Sequence, residues 1–248
     1  MSSSCATIIQ VLFSWTLVAV VSTVSPNHGS RLISSIVGND VRKAVVDGWP
    51  VQNVIASDLR EGQWSPIHVE RNRSDITIVE FWQCGHELFN STPETFPAVF
   101  IPGDVFGPEF IEPHSPFYEK PQNDRPALKS LVNSLTPMQG HISVIHASSF
   151  FHLFNDDGQL EVAQRLASLL SPAKGSIIFG SHVARPEKGW QGSDEYDERM
   201  FCHSPESWKE LWDGQVFERG TVKVVADIHT IDTQHGRFFL MRWSVTKV

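Results

Sequence analysis

Short apolar stretches alternate with amphipathic helical patterns along this chain, and this alternation constrains the fold more than any other feature. Strands are predicted at 33–37, 53–57, 98–102, 141–146 and 175–183, and helices at 39–47, 80–90, 127–135 and 157–170. A chain of 248 residues is long enough for one large domain with a full core. Strands that alternate with helices predict a parallel sheet covered on both faces.

The C-terminal part departs from this alternation. Residues 184–203 form a charged, glycine-containing segment that is predicted to be a loop, and Ser204 with Pro205 opens one more helix. Two long alternating patterns at 220–232 and 236–246 then predict an antiparallel hairpin. The predicted fold class is therefore α/β, with a doubly wound, mostly parallel sheet and a C-terminal antiparallel hairpin.

The N-terminal segment carries no charge from Cys5 to Val24, and the first charged residue is Arg31. Twenty uncharged residues are long enough to span a bilayer, and they also fit a signal-peptide core or a first exon that does not belong to the domain. These three interpretations stay open. We therefore divide the chain into an apolar segment, 1–30, and a domain, 31–248, with a polar insertion at 61–79 that fits no element.

Charge and cysteine usage exclude some functions. The net charge is −8 and no basic cluster occurs, which argues against nucleic-acid binding. Cys5, Cys84 and Cys202 form neither an even set nor a C-x-x-C pair, which favours a reducing compartment such as the cytoplasm. No G-x-G-x-x-G or G-x-S-x-G motif occurs, which disfavours nicotinamide oxidoreductases and α/β-hydrolases.

Asp58 is the residue that points to a ligand. It ends an apolar strand pattern, 20 residues after the glycine, Gly38, that precedes the first helix. In open α/β sheets, an acid in this position accepts hydrogen bonds from the two ribose hydroxyls of a bound nucleoside. A turn or helix-capping acid is the alternative interpretation.

Six stretches of sequence carry a resemblance to a known family. They are GNDVRK at 38–43, SDLR at 57–60, GHELF at 85–89, PGDVF at 102–106, IHASSFFHLF at 145–154 and MFCHSPESW at 200–208. With these stretches the chain resembles the Rossmann-like, class I S-adenosylmethionine-dependent methyltransferases, and more narrowly the branch that serves fungal secondary-metabolite pathways of the meroterpenoid type. The resemblance covers about residues 37–60 and 80–248.

The resemblance implies S-adenosylmethionine as cofactor and assigns the residues that hold it. Asp58 and Leu59 would meet the ribose, Asp104 and Val105 the adenine, and Gly38 the methionine part, with His146 at the end of the fourth strand. Two departures concern this same region. The glycine-rich loop is reduced to Gly38, and residues 61–79 interrupt a turn that family members make almost directly; a retained intron is one hypothesis for that insertion.

The sequence defines the residues that would bind the methyl acceptor less well than those that would bind the cofactor. A carboxylate acceptor needs no base, whereas a hydroxyl acceptor does, and His146 and His152 are the candidate catalytic residues. The histidine spacing matches no zinc pattern, so we predict no metal. Six aromatic residues are candidates for an apolar substrate wall, with the protein core as the alternative: Phe150, Phe151, Phe154, Trp190, Trp208 and Trp212.

Two functions of different classes remain. The first is methylation of a small-molecule secondary metabolite, on a carboxylate or a hydroxyl, by a cytoplasmic enzyme that forms a homodimer or works alone. Membrane association stays open because of residues 5–24. The second is a catalytically impaired relative that acts as a binding or scaffold protein, since the glycine-rich loop is incomplete.

Overall fold

The computed structural model describes residues 19–21, 39–57, 78–191, 200–233 and 236–248. The predicted strand at 33–37, the insertion up to residue 77 and three of the predicted site residues lie outside the described residues. These three are Gly38, Asp58 and Leu59.

Four α-helices are described, and all four were predicted from the sequence. They are α1 (Asn39–Val46), α2 (Ile78–Leu88), α3 (Asp156–Leu169) and α4 (Pro205–Trp212). The caps of the last two are local. The Asn155 side chain accepts a hydrogen bond from the Gly158 N–H, and Ser204 forms a capping box with Ser207.

The described residues form a main sheet of seven strands. They are β1 (Ala19–Val21), β2 (Val54–Ala56), β3 (Val99–Phe100), β4 (Val144–His146), β5 (Ile177–Ala184), β8 (Val222–Thr233) and β9 (Gly236–Lys247). Their order across the sheet is β3-β2-β1-β4-β5-β9-β8. Two further strands, β6 (Gly189–Gln191) and β7 (Met200–Cys202), pair with each other.

The fold class is α/β with a mixed sheet. Only two strand pairs of the main sheet are parallel, β2 with β3 and β4 with β5, so a mostly parallel pairing was wrong for the described residues. The other four pairs are antiparallel, because β1 and β9 run against the remaining strands. The predicted C-terminal hairpin is confirmed by twelve register pairs between β8 and β9.

An interior strand of the main sheet comes from the apolar N-terminal segment. Ala19–Val21 lies between β2 and β4, and Val20 is in register with Ile55 on one side and Ile145 on the other. Because β1 is antiparallel to both neighbours, the chain leaves it at the opposite edge from the carboxyl ends of β2 and β4. A strand that led directly into the first helix at the carboxyl edge would run the other way.

Two local predictions were wrong. The predicted helix at 127–135 contains only a 3-10 turn at Leu128–Ser130. The Ser134 hydroxyl and the Leu135 N–H both donate to the Phe110 carbonyl, at 3.0 and 2.8 Å, and these bonds to a distant segment replace those of a helix. The predicted loop at 184–203 contains β6 and β7, which are too short to show an alternating pattern.

The core lies on both faces of the sheet and includes buried side chains from α1, α3, α4 and the strands. Arg42 of α1 stacks over the rings of Phe89 and Phe96, at 4.7 and 4.2 Å. Among the described helices, none combines the length and apolar character that crossing a bilayer requires.

The position of β1 predicts that Val20→Pro destabilises the protein. Proline removes an N–H from a strand that has neighbours on both sides, which costs about 1–3 kcal/mol in the free energy of unfolding. Chemical denaturation measures the change, and Val20→Thr is the control because it keeps the N–H and the β-branched side chain. Equal stability of the two variants would contradict a central position for this strand.

Candidate functional site

The carboxyl ends of four strands lie at one edge of the sheet. β2, β3, β4 and β5 all point in the same direction, with β1 reversed between β2 and β4. The strand order changes direction around β1, and open α/β sheets bind ligands in the crevice at such a point. This edge is therefore the candidate site.

The ends of β2 and β3 are held together by two hydrogen bonds. The buried Ser57 hydroxyl donates to the Ile101 carbonyl over 2.6 Å, and the Ile101 N–H donates to the Ala56 carbonyl over 2.9 Å. Ser57, the residue before Asp58 in the sequence, therefore lies beside the segment that follows β3. The described residues end at Ser57, so the placement of Asp58 stays a prediction.

Asp104 shapes the turn that follows β3. Its Oδ1 accepts the Phe106 N–H over 2.9 Å, and its carbonyl accepts the Gly107 N–H over 3.0 Å. Asp104 therefore has a structural role in its own turn, which was the alternative to ligand binding. Its second carboxylate oxygen can still accept a hydrogen bond from a ligand. Val105 points its side chain into the core, where it is fully buried, so a contact from this residue to a ligand would come from its backbone.

Arg165 of α3 supports this turn, and the sequence patterns did not identify it. Its guanidinium donates to the carbonyls of Ile111 and, over 3.3 Å, Phe106, and it also forms an ion pair with Glu161 at 2.8 Å. Because Arg165 is buried, its charge is compensated by these oxygens alone among the contacts described. Arg165 lies away from the apolar stripe of α3, so the sequence pattern gave no signal for this role.

A hydrogen-bonded group of polar side chains lies at the end of β4. The Ser148 Oγ is 2.7 Å from the His146 Nε2, accepts the Ser181 N–H over 3.0 Å and is 3.4 Å from the Ser181 Oγ. The His146 ring packs on Phe179 with 4.9 Å between centroids. The structure thus places His146 at the carboxyl edge, as predicted, together with two serines to which we assigned no role from the sequence.

Gly180 makes this arrangement possible. A Cβ at this position would lie 2.0 Å from the Ala147 carbonyl oxygen and 2.6 Å from its carbon. The backbone of 147–149 continues to bond along β5, since the Ala147 and Ser149 N–H groups donate to Phe179 and Ser181 over 2.8 and 2.7 Å. A glycine inside a strand pattern indicates such a close approach, so a signal was available in the sequence.

His152 lies away from this group, in the aromatic core. It belongs to a 3-10 turn at Phe151–Leu153 and is 6% exposed, and burial lowers its pKa to about 4. The nearby His182 is fully buried, and burial lowers its pKa well below the usual value. Its Nδ1 accepts the Trp243 indole N–H over 3.0 Å. The environment of His152 is that of a neutral core histidine, and a catalytic role for it stays a prediction.

Most of the predicted aromatic substrate wall belongs to the core. Phe150, Phe151, Trp208 and Trp212 are fully buried and pack edge-to-face with one another and with Trp243. Trp190 is 46% exposed and lines an open cavity of about 340 Å³. The other residues that line this cavity are Arg185, Gln191, Arg237 and Phe239.

The cavity lies beyond the carboxyl end of β5, which extends five residues past the position opposite His146. Arg237 is paired with Asp232 at 2.8 Å, and Arg185 donates to the Trp190 carbonyl. In the described part of the chain, no three His, Cys, Asp or Glu side chains are grouped so that they could hold a metal ion.

Comparison with known proteins identifies relatives of one kind. O-methyltransferase phiE of a fungal species is 29% identical over 189 residues, which cover 76% of this chain and 49% of that protein. Methyltransferase adrK of Penicillium rubens is 28% identical over 201 residues, or 80% of this chain and 57% of that protein. This chain spans about half the length of these curated relatives, and no family model matches it.

Among solved structures, a SAM-dependent methyltransferase from Methanosarcina mazei aligns at 9% identity with a TM-score of 0.49, over 86% of this chain and 88% of that one. We draw no argument from a similarity of this size.

Gly180→Ala is expected to destabilise the protein by about 1–3 kcal/mol, because its Cβ would meet backbone atoms of Ala147 that cannot rotate away. Chemical denaturation measures the loss. Gly107→Ala is the matched control, since its closest contact is the carboxylate end of Glu109, an exposed side chain that can move. A cost no larger than that of the control would argue against the close approach.

His203 predicts a pH dependence of stability. Burial, with a further contribution from Lys188, lowers its pKa to about 4, although Asp156 opposes the shift. The unfolded chain binds this proton near pH 6.5, so the neutral ring stabilises the fold above that pH, and the contribution is lost as the pH falls toward 4. Between about pH 4 and pH 6.5, the free energy of unfolding should therefore change by roughly 3 kcal/mol less in His203→Asn than in the wild-type protein.

Denaturation midpoints at several pH values provide the measurement. Asp40, whose pKa burial raises to about 6, titrates in the same range with the opposite sign, and its contribution cancels between the two proteins. Parallel pH profiles would show that His203 is not buried in its neutral form.

Proposed function

We propose that this chain, a relative of the class I S-adenosylmethionine-dependent methyltransferases of fungal secondary metabolism, binds S-adenosylmethionine at the carboxyl edge of its sheet and methylates a small molecule on oxygen. The relatives phiE and adrK support the family, since both are named methyltransferases and phiE an O-methyltransferase. Because this chain covers about half of each, the activity is proposed on the basis of the site itself.

The observation that carries the proposal is the connection between the ends of β2 and β3. The Ser57 hydroxyl donates to the Ile101 carbonyl over 2.6 Å and so joins these two ends. Ser57 is the residue before Asp58, so we infer that Asp58 follows on the side of the sheet where the turn formed by Asp104 lies. An acid for the ribose and an acid for the adenine amino group are the two positions that a nucleoside needs in a crevice of this kind.

The described residues fit the nucleoside end of the cofactor. Asp104 uses Oδ1 within its own turn, and Oδ2 can accept a hydrogen bond from the adenine amino group. Phe106 lies against Phe154, and Phe154 against Phe150, with 5.1 Å between centroids in each pair. These rings form an apolar support behind the turn. When bound, the cofactor would supply a methyl group on a positively charged sulfur.

The chain's own contribution to methyl transfer would be alignment and the exclusion of water. Arg165 fixes the turn after β3 through the Phe106 carbonyl, and Gly180 fixes the backbone after β4. The cavity beside Trp190 lies farther along the same edge, beyond β5, and its two arginines and two aromatic rings suit an acceptor with an apolar body and polar groups.

A specific observation favours the second candidate, a binding protein that does not transfer methyl groups. β1 runs antiparallel to β2 and β4, so the segment that leaves it begins at the edge opposite the candidate site. A glycine-rich loop directly after the first strand, which the resemblance implies, would begin at the carboxyl edge. On this arrangement the support for the methionine part of the cofactor would have to come from residues 22–38, which lie outside the described residues.

Asp58→Ala tests the proposal. Loss of the two hydrogen bonds to the ribose should weaken S-adenosylhomocysteine binding at least tenfold, which corresponds to about 1.4 kcal/mol. Titration calorimetry measures the dissociation constant, with Glu210→Ala on the exposed side of α4 as the control.

Wild-type protein that produces no saturable heat would reject the cofactor itself. An unchanged dissociation constant in the Asp58 variant would reject the assigned role of this acid. Saturable binding without methyl incorporation from labelled cofactor into extracts of the producing cells would favour the binding protein.

A further inference from the structure

β8 forms one outer edge of the main sheet, and it is twelve residues long. Among the described strands it has β9 as its neighbour on one side and none on the other. The N–H and C=O groups along such an edge have no strand partner, and another strand added to the edge would satisfy them. The free side of β8 is therefore a candidate interaction surface.

The hydrogen bonds of β9 show which groups of β8 point to the free side. The Val248 N–H donates to the Thr221 carbonyl over 3.3 Å, whereas the Lys247 N–H donates to the Ser176 carbonyl, on the side of β5. Backbone groups of successive residues in a strand point in opposite directions. Odd-numbered residues of β8 therefore bond to β9, and even-numbered residues point their N–H and C=O groups outward. The described part of the chain supplies no hydrogen bond to these outward groups between residues 222 and 232.

The exposed face of β8 carries two opposite charges on either side of an apolar residue. Lys223 and Asp227 are both exposed, and Val225 between them is 42% exposed. Neither charged side chain belongs to an ion pair among the described residues. Arg242 faces Asp227 across the hairpin, but as a hydrogen-bonded pair, in which the side chains are farther apart. Both charges are thus available to a partner.

These three residues of β8 are complementary to a second copy of the same strand. In an antiparallel pair with a two-fold axis at Val225, residues equally far before and after the axis face each other. Lys223 of each copy then lies opposite Asp227 of the other, and the two valines lie opposite each other. They would form non-hydrogen-bonded pairs, in which Cα atoms are about 4.5 Å apart and side chains are closest.

The even-numbered residues match in the same arrangement. Val222 would lie opposite Ile228, and Val224 opposite Ala226, so that apolar side chains meet on the face that packs against the core. These are the residues whose backbone groups point outward, so they would exchange the hydrogen bonds that join the two strands.

Neighbouring positions of the axis match less well. An axis at Ala226 would place Lys223 opposite His229, and an axis at Asp227 would place two carboxylates against each other. Of these three positions, only the axis at Val225 pairs each lysine with a carboxylate. Charge complementarity therefore favours this register.

We propose that this chain forms a homodimer through β8, in which the main sheets of two copies continue into each other across Val225. The paired segment ends at Ile228, so the cavity beside Trp190 and Arg237, at the far end of the hairpin, stays open in both copies. A paired segment from Val222 to Ile228 is short for a protein interface, so we expect a dissociation constant on the order of 10 µM.

Sedimentation velocity at protein concentrations from about 1 to about 200 µM tests for the dimer. We expect Lys223→Glu and Asp227→Lys each to weaken association at least fivefold, because each change brings like charges together in both pairs of the interface. Lys129→Glu is the control, since it makes the same charge change on an exposed residue of the 3-10 turn at Leu128–Ser130. It should associate like the wild-type protein.

An equimolar mixture of the Lys223→Glu and Asp227→Lys variants separates a charge effect from a folding defect. In the mixed dimer every acidic residue of the interface faces a lysine, so association should return at least to the wild-type strength. Wild-type protein that stays monomeric at every concentration would overturn the proposal, and the edge would then be one that its own charges protect from pairing. Dimers that the two variants do not weaken, or a mixture that does not associate, would overturn it as well.

Val225→Cys provides a direct test of the axis. Two cysteines opposite each other in a non-hydrogen-bonded pair are within reach of a disulfide, so oxidised glutathione should produce a covalent dimer. His229→Cys is the matched control on the same face, since it would lie opposite Thr221 and away from its own equivalent. A Val225 variant that cross-links no more than the control would reject this axis. Neither experiment depends on cofactor binding.

Discussion

The candidate site depends on the close approach of the backbone after β4 to Gly180 of β5. With the Ala147 carbonyl oxygen only 2.0 Å from where a Cβ would lie, no other residue fits at position 180 without a shift of the backbone. This contact fixes the position along β5 at which the Ser148 hydroxyl contacts the Ser181 N–H and the His146 ring. The polar group at the end of β4 is therefore a consequence of packing between two strands.

The reversed interior strand β1 is the second constraint. β1 satisfies backbone groups of both β2 and β4 with only three residues, so the two halves of the sheet meet across a short element. Backbone groups in the middle of a sheet need partners, and an apolar segment that lies nearby can supply them in either direction.

Local signals predicted much of the fold. Helices α3 and α4 were predicted because their caps, Asn155 and Ser204, act within four residues of chain. The segment at 127–135 was mistaken for a helix because its actual partner, the Phe110 carbonyl, is 24 residues away in sequence. For the site, the sequence predicted that His146 ends the fourth strand, whereas it did not identify Ser148, since the hydrogen-bond partner of Ser148, Ser181, is 33 residues farther along.

The sequence by itself determined the alternation of strands and helices, the terminal hairpin and the acids that follow β2 and β3, because these depend on periodicity and on short-range order along the chain. Only the tertiary structure decided which segment fills the centre of the sheet, in which direction it runs, and which side chains surround His146. The physical reason is that strand pairing and close backbone approach depend on residues far apart in sequence, and their energies arise only when the sheet assembles.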